Sequence, residues 1–294
     1  MKQLKKGGYI GSATGISIEP ILRLVEAFFA RISTQVFLAI GGDIDHKLAD
    51  IISPMLNLRA VTMTSKLTLS SIPEARDSLL KLALQYRSNL SMTDSQALSG
   101  RFDTWAEAFD MFRETFHRRS LSKIEKRGMA LLELHKRYLY INIAALNQVD
   151  REDPSMWDQW TEQFREMIDY ATEAGGLETG QSQCNQQPQF YMEIGILPAL
   201  FFLCAKCRDP QVRRRAIEIM QSNHIQEGIW NSKMAAKVAQ RVIALEEGEF
   251  TVKSSNEIDD VARVRRVAVH TGPEVTYLNI GYEMECGWLQ EELD

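Results

Sequence analysis

The chain has 294 residues, of which 45% are hydrophobic and 25% charged, and its formal net charge at pH 7 is −5. This composition supports a large buried core and excludes a disordered chain, and the negative charge argues against a protein whose main role is to neutralise nucleic-acid phosphates. The four cysteines, at positions 184, 204, 207 and 286, are too dispersed for a disulfide framework and favour a reducing compartment.

The N-terminal segment predicts neither a signal peptide nor a membrane span. "MKQLKKGGYIGSATG" has lysines but no apolar stretch directly behind them. The nearest apolar stretch, residues 21–40, is interrupted by Arg23, Glu26 and Arg31. We therefore expect an intracellular protein, nuclear or cytoplasmic.

Three helices are predicted in the middle of the chain from apolar residues at steps of three and four. "RFDTWAEAFDMFRETF" (101–116) carries one aromatic stripe, and "SMWDQWTEQFREMIDYA" (155–171) carries another behind a cap at Asp153 and Pro154. Between them, "GMALLELHKRYLYINIAALN" (128–147) is apolar on more than one side, which predicts a central helix. Polar stretches predict loops at 11–17, 91–100 and 175–189, the last a candidate mobile flap.

The stretch "CAKCRDPQVRRRAIEI" (204–219) has three interpretations: a zinc or redox CxxC site, a basic contact for nucleic acid, or a helix start. Cys204 and Cys207 lie three residues apart on an apolar helical segment, so they are predicted to be buried small residues without a metal. Pro198, earlier in the same segment, should kink or break the helix. Asp209 as N-cap and Pro210 as first residue predict a new helix. The arginines at 213–215 are expected to point largely outward.

The chain's end has a different pattern. β-Branched residues on both sides of "HTGPE" predict a β-hairpin within residues 261–282. The predicted fold is all-α, an irregular array of packed antiparallel helices with a short C-terminal β-hairpin. Residues 1–294 are assigned to one helical domain, with N-terminal helices in 1–64.

No motif for a metal, nucleotide or activated nucleophile is found, so neither a metal nor a cofactor is expected. His135 shares a helix face with apolar residues, and it is interpreted either as a satisfied core histidine or as a general base. Glu193 precedes an apolar run and Arg208 follows it. Together His135 and Glu193 are the candidate catalytic residues, and the candidate ligand contacts are Trp105, Tyr138, Trp160 and Arg208.

The stretch "ILPALFFLCAKCRDPQVRRRAIEIMQSNHIQEGIWNSKMAAKVAQRVIALEE" (196–247) resembles the C-terminal regulatory region of fungal-specific zinc-cluster transcription factors. The upstream helices and the closing "VARVRRVAV" are similar to it in order and spacing. The matching positions are Lys206, Cys207, Arg208, Asp209, Pro210, Arg213 to Arg215, Glu227, Gly228 and Trp230.

The family's six-cysteine zinc cluster has no counterpart here, because the first cysteine is Cys184. Zinc and direct DNA binding are therefore not carried over from the resemblance. The resemblance implies a finger-less, transcription-factor-like regulatory or small-molecule-sensing protein tied to a fungal secondary-metabolism gene cluster. Its expected partners are a small hydrophobic metabolite and a protein partner or second copy, with no direct DNA binding and no membrane.

Two further interpretations stay open. One is a cofactor-independent natural-product enzyme, of cyclase, pericyclase, isomerase or dehydratase type, whose aromatic walls order a reactive substrate. The other is a fragment whose zinc-cluster exon is missing from the gene model.

Overall fold

The computed structural model describes residues 67–86, 92–116, 120–150, 153–176, 189–191, 195–222, 224–228, 230–248, 252–271 and 278–293. The predicted N-terminal helices and the loop at 11–17 lie outside these ranges. So do Glu193 and most of the predicted flap at 175–189.

The described part is mostly helical, as predicted. Its α-helices are α1 (Ile72–Tyr86), α2 (Met92–Phe116), α3 (Lys123–Leu146), α4 (Thr161–Gly175), α5 (Leu197–Lys206), α6 (Pro210–Ser222) and α7 (Ser232–Glu247). A 3₁₀-helix, Pro154–Trp160, leads directly into α4, and two short ones, Ser255–Glu257 and Asp260–Ala262, follow α7.

Helix α3 is central, as its apolar pattern predicted. It begins with a capping box, in which the Ser122 side chain accepts from the Glu125 backbone N–H and the Glu125 carboxylate accepts from the Ser122 backbone N–H. The helix packs against α1, α2, α4 and α5. It therefore separates two apolar cores.

The first core, which we call the N-terminal core, lies between α1, α2 and one side of α3. Trp105 is fully buried there, its ring 5.0 Å from that of Phe109, and its indole N–H donates to Ser78 at 2.8 Å. The second, the central core, joins the other side of α3 to α4, α5, α6 and α7.

Three local predictions differ from the structure. Residues 92–100, predicted as a loop, form the first turns of α2, because Leu98 and Ser95 are buried on its inner side. Pro198 lies in the first turn of α5, where a missing N–H has no consequence, so it starts the helix and does not kink it. Asp153 and Pro154 open a 3₁₀-helix before the α-helix begins.

The predicted C-terminal hairpin is confirmed and is longer than predicted. Strands β4 (Arg266–Thr271) and β5 (Leu278–Met284) pair antiparallel, and β6 (Gly287–Leu293) adds a third strand to β5. A small sheet joins β1 (Gln189–Tyr191) parallel to β2 (Ile225–Glu227), and β2 antiparallel to β3 (Trp230–Asn231). The larger sheet packs on α7 through Val238, Val242, Val264, Ile280 and Tyr282.

None of the helices in the described ranges is long and apolar enough to cross a bilayer.

Candidate functional site

Aromatic side chains from four helical elements meet around Phe202 of α5. Its ring lies 5.0 Å from Tyr138 of α3 and 5.6 Å from Trp157 of the first 3₁₀-helix, in both cases edge to face. Trp160 lies 5.6 Å from Trp157, and Phe164 of α4 lies 6.1 Å from Phe202. We call these five residues the aromatic surface.

The aromatic surface has a buried floor and a half-exposed top. Trp160 and Phe164 are buried in the central core, whereas Tyr138, Trp157 and Phe202 are half-buried. Ring faces and edges of this kind accept flat apolar molecules, and the Tyr138 hydroxyl adds a polar group at the rim.

A cation lies at the edge of the aromatic surface. The Lys206 ammonium is 5.2 Å from the centre of the Trp157 ring and donates to the Arg265 carbonyl at 2.8 Å. Burial, with the nearby Arg263 guanidinium, lowers the pKa of Lys206 to about 8. Lys206 thus places an ammonium group beside the Trp157 ring.

His135 and Glu227 fix the backbone at Gly195, immediately before α5. The His135 ring donates through Nε2 to the Gly195 carbonyl at 2.8 Å, and burial lowers the pKa of His135. A Cβ at position 195 would overlap the Glu227 carboxylate, so a larger residue there would displace that carboxylate from its three N–H donors. The two side chains thus bind the carbonyl and the N–H of the same residue.

Glu227, on β2, caps the amino terminus of α5. Its carboxylate accepts from the backbone N–H groups of Gly195 at 3.2 Å, Ile196 at 2.9 Å and Leu197 at 3.0 Å. These are donors that a helix start otherwise leaves unsatisfied. Burial raises the pKa of Glu227 to about 7, and the three N–H groups oppose that rise.

The structure brings together some of the predicted site residues. Tyr138 and Trp160 belong to the aromatic surface, and His135 lies one turn before Tyr138 on α3. Trp105 lies in the N-terminal core and does not join them. Sequence reasoning missed Trp157, Phe202 and Lys206 as possible contacts, because a run of apolar residues gives no sign of which ones stay half-exposed.

Arg208, a predicted ligand contact, is buried in a salt-bridge network. Its guanidinium pairs with Asp158 of the 3₁₀-helix, with 2.9 Å between Nε and Oδ1, and with Asp260 at 2.6 Å. These two carboxylates raise its pKa. Arg208 thus fastens the segment behind α7 to the 3₁₀-helix that carries Trp157 and Trp160.

The prediction that all three consecutive arginines point outward is wrong for Arg213. Arg214 and Arg215 are partly exposed, but the Arg213 side chain is fully buried and pairs with Glu246 of α7. Position 213 precedes the buried Ala216 and Ile217 by three and four residues, so it shares their face of α6.

Arg263 completes a group that we call the arginine network, consisting of Arg213, Glu246 and Arg263. Arg263 lies 3.3 Å from the Glu246 carboxylate and donates to the Lys206 carbonyl at 3.0 Å, and Glu246 also accepts from the Val264 N–H at 2.8 Å. Two buried guanidinium groups share one buried carboxylate, so the network connects α5, α6 and α7 to the C-terminal segment.

Cys204 and Cys207 are buried free thiols, as predicted. Burial raises the pKa of each thiol to about 12, which suppresses the thiolate that metal binding and redox exchange require. Within the described residues, no group of three or more histidine, cysteine, aspartate or glutamate side chains is arranged to hold a metal ion. Asp209 caps α6 through the backbone N–H groups of Gln211 and Val212, also as predicted.

Comparison with known proteins gives one partial match. Over 59 residues, 20% of this chain, the sequence is 37% identical to the aspercryptin biosynthesis cluster-specific transcription regulator atnN of Emericella nidulans. The chain covers about a tenth of that regulator's length, since the match spans 10% of it. No family model matches the chain, and no solved structure matches it.

Proposed function

We propose that the chain is a transcription-factor-like regulatory protein of a fungal secondary-metabolite gene cluster, acting in the nucleus. The observation that carries this proposal is the 37% identity to a cluster-specific transcription regulator. Its helical architecture is compatible with the role but does not define it, because one fold serves many functions.

The aromatic surface supports a sensing role within this function. Tyr138, Trp157 and Phe202 present half-buried rings from three different elements, and Lys206 adds a positive charge beside them. A small apolar metabolite with an anionic or carbonyl group fits this chemistry. A molecule bound there would contact α3, α5 and the 3₁₀-helix at once, and so would stabilise their packing against one another.

The connections of α5 support transmission from the aromatic surface to the rest of the molecule. Glu227 and His135 hold its start at Gly195, and the arginine network holds its end through the Lys206 and Cys207 carbonyls. A ligand on Phe202 therefore touches a helix that is fixed at both ends. We expect the response to reach a protein partner, with no direct DNA binding by this chain alone.

A point variant in the native gene tests the sensing role. Tyr138→Ala removes one half-buried ring and its hydroxyl, and we expect transcripts of the neighbouring gene cluster to lose their normal level while the protein's abundance is unchanged. Met111→Ala is the matched control, because Met111 is an exposed apolar residue on α2. Normal transcript levels in the Tyr138→Ala strain would contradict the proposal that this surface senses a ligand.

A further inference from the structure

Strand β6 is an exposed edge of the C-terminal sheet. The sheet order is β4-β5-β6, so among the described residues β6 pairs only with β5. Its pairing is continuous from Gly287 to Leu293, without a bulge or a proline. Residues 287–290 and 292 are exposed. Natural proteins usually shorten, bend or cover such an edge, because its free backbone groups can pair with another strand.

The register shows which backbone groups are free. Only Glu285 and Cys286 separate Met284 from Gly287, so the pair Met284–Gly287 that closes this hairpin must be a hydrogen-bonded one. Bonded and non-bonded pairs alternate along an antiparallel ladder. The backbone N–H and C=O groups at positions 288, 290 and 292 therefore point away from β5, toward the free edge.

The side chains of these same three residues lie on the sheet face opposite Ile280 and Tyr282, which are buried against α7. Trp288 is 46% exposed, and an added Cβ at Gly281 would be 3.0 Å from its ring. The Arg266 guanidinium already lies over this ring, 5.3 Å from its centre, so the exposed indole offers a partner an apolar surface. Glu292 is exposed and has no ion-pair partner in the described part of the chain. Leu289 lies on the other face of the sheet, the one that carries Ile280 and Tyr282, and its apolar side chain is exposed.

We propose that the edge of β6 binds an extended segment of a partner protein in which basic and apolar residues alternate. A strand added to this edge would pair with the free backbone groups at 288, 290 and 292. Basic side chains on its outer face would lie opposite Trp288 and Glu292, where their aliphatic stems pack on the indole and an ammonium group pairs with Glu292. Apolar side chains on its other face would lie against Leu289.

Charge favours this occupant over a second copy of the chain. The turn and strand at residues 285–292 contain Glu285, Glu291 and Glu292 and no basic residue. Glu291 is already paired with Arg241 of α7, at 2.7 Å between Nε and Oε2. Two β6 edges paired antiparallel about Gln290 would place Glu292 opposite Trp288 and Glu291 opposite Leu289, so Glu292 would gain no cationic partner from a second copy. The proposal deepens the proposed function by naming the surface that holds a partner.

Binding of a fluorescein-labelled seven-residue peptide of alternating lysine and valine to the full chain, measured by fluorescence anisotropy, tests this surface. Gln290→Pro removes an N–H that points to the free edge and that β5 does not use, and we expect it to weaken binding about tenfold or more. Gln290→Ala keeps the N–H and should change the dissociation constant less than about twofold.

A second pair of variants tests the charge. Glu292→Lys should weaken binding about three- to tenfold, whereas Glu114→Lys, the same change on an exposed residue of α2, should leave it within about twofold. Equal binding by all variants, equal binding of an alternating glutamate–valine peptide, or no saturable binding to the wild-type chain would overturn the proposal. So would a dimer of the chain that Gln290→Pro dissociates, because β6 would then serve a second copy.

The peptide assay does not depend on the regulatory role. If peptide binding behaves as expected while transcripts stay normal in the Tyr138→Ala strain, the proposed sensing function fails and the β6 surface stands. If transcripts change in the Tyr138→Ala strain but the peptide does not bind as expected, the proposed β6 surface fails and the sensing function stands.

Discussion

Replacement of Glu246 by glutamine should lower the free energy of unfolding of the protein, because Glu246 lies at the centre of the arginine network. Glu246 is fully buried and faces two buried guanidinium groups, those of Arg213 and Arg263. Glu246→Gln keeps the shape of the side chain and an acceptor for the Val264 N–H, but it removes the negative charge that both arginines contact. The variant therefore leaves two buried positive charges close together without the carboxylate that they share.

The expected loss is large because both charges are desolvated. Breaking a buried ion pair by removing one partner costs about 3–5 kcal/mol of the free energy of unfolding. A domain is usually stable by about 5–15 kcal/mol, so this loss is a substantial fraction of the total. Arg213→Met should cost less, because Glu246 then keeps Arg263 as its partner. The double variant should be less destabilised than the sum of the two single variants by about 0.5–3 kcal/mol.

Urea unfolding followed by tryptophan fluorescence measures these differences. Glu218→Gln is the control, since Glu218 forms an ion pair with Arg215 at 2.9 Å on the exposed side of α6. This pair should contribute less than about 1 kcal/mol to the free energy of unfolding. If Glu246→Gln unfolds at the same urea concentration as Glu218→Gln, the charges of the network are not coupled as the structure describes.

Three further predictions follow from the segment around α5 and from the cysteines. Gly195→Ala should destabilise the protein by about 1–3 kcal/mol because its Cβ overlaps the Glu227 carboxylate, whereas Gly100→Ala in open space on α2 should stabilise it by about 0.5–1 kcal/mol; urea unfolding compares them. The pKa of Glu227 rises from 4.5 to about 7 on folding, so its protonation stabilises the fold at low pH, and this contribution is lost as the pH rises from 4.5 to about 7. The free energy of unfolding of wild type should therefore fall across that interval relative to Glu227→Gln, and a parallel pH dependence would contradict this. Finally, a thiol reagent at pH 8 should label Cys286 in the native protein and Cys204 only after unfolding, because burial raises the pKa of Cys204 to about 12; peptide mapping distinguishes them, and native labelling of Cys204 would refute it.

The sequence predicted those elements whose signals are local. The cap at Asp209 and Pro210, the apolar faces of α3 and the β-branched residues of β4 each lie within the element that they define. Helix starts and amphipathic faces depend on neighbours a few residues away, so a single sequence contains the necessary information.

The errors arose where a distant partner decides the structure. Arg213 shares the face of α6 that carries Ala216, but its burial also needs a counter-charge from Glu246, 33 residues later, and that pairing is not indicated by the sequence. Residues 92–100 looked like a loop, yet packing of Leu98 in the N-terminal core makes them helical. The predicted hairpin ended at residue 282, whereas pairing with β5 and the contact of Glu291 with Arg241 make residues 287–293 a third strand, β6.

The candidate site was predictable only where its residues share one helix face. The helix face that carries His135 and Tyr138 is a local property of α3, and the sequence identified both residues. The meeting of Tyr138 with Trp157 and Phe202 depends on how α3, the 3₁₀-helix and α5 pack, which a single sequence does not specify. Glu227 was visible only as part of a resemblance, because its three N–H donors lie about thirty residues earlier, at 195–197.

The regulatory role is tested most directly by deleting the gene and measuring transcripts of the neighbouring genes together with the metabolite profile. The proposed function predicts that the transcripts fall and that all related metabolites disappear. Steady transcripts with one accumulated intermediate and one missing product would contradict it, and would show that the chain is an enzyme.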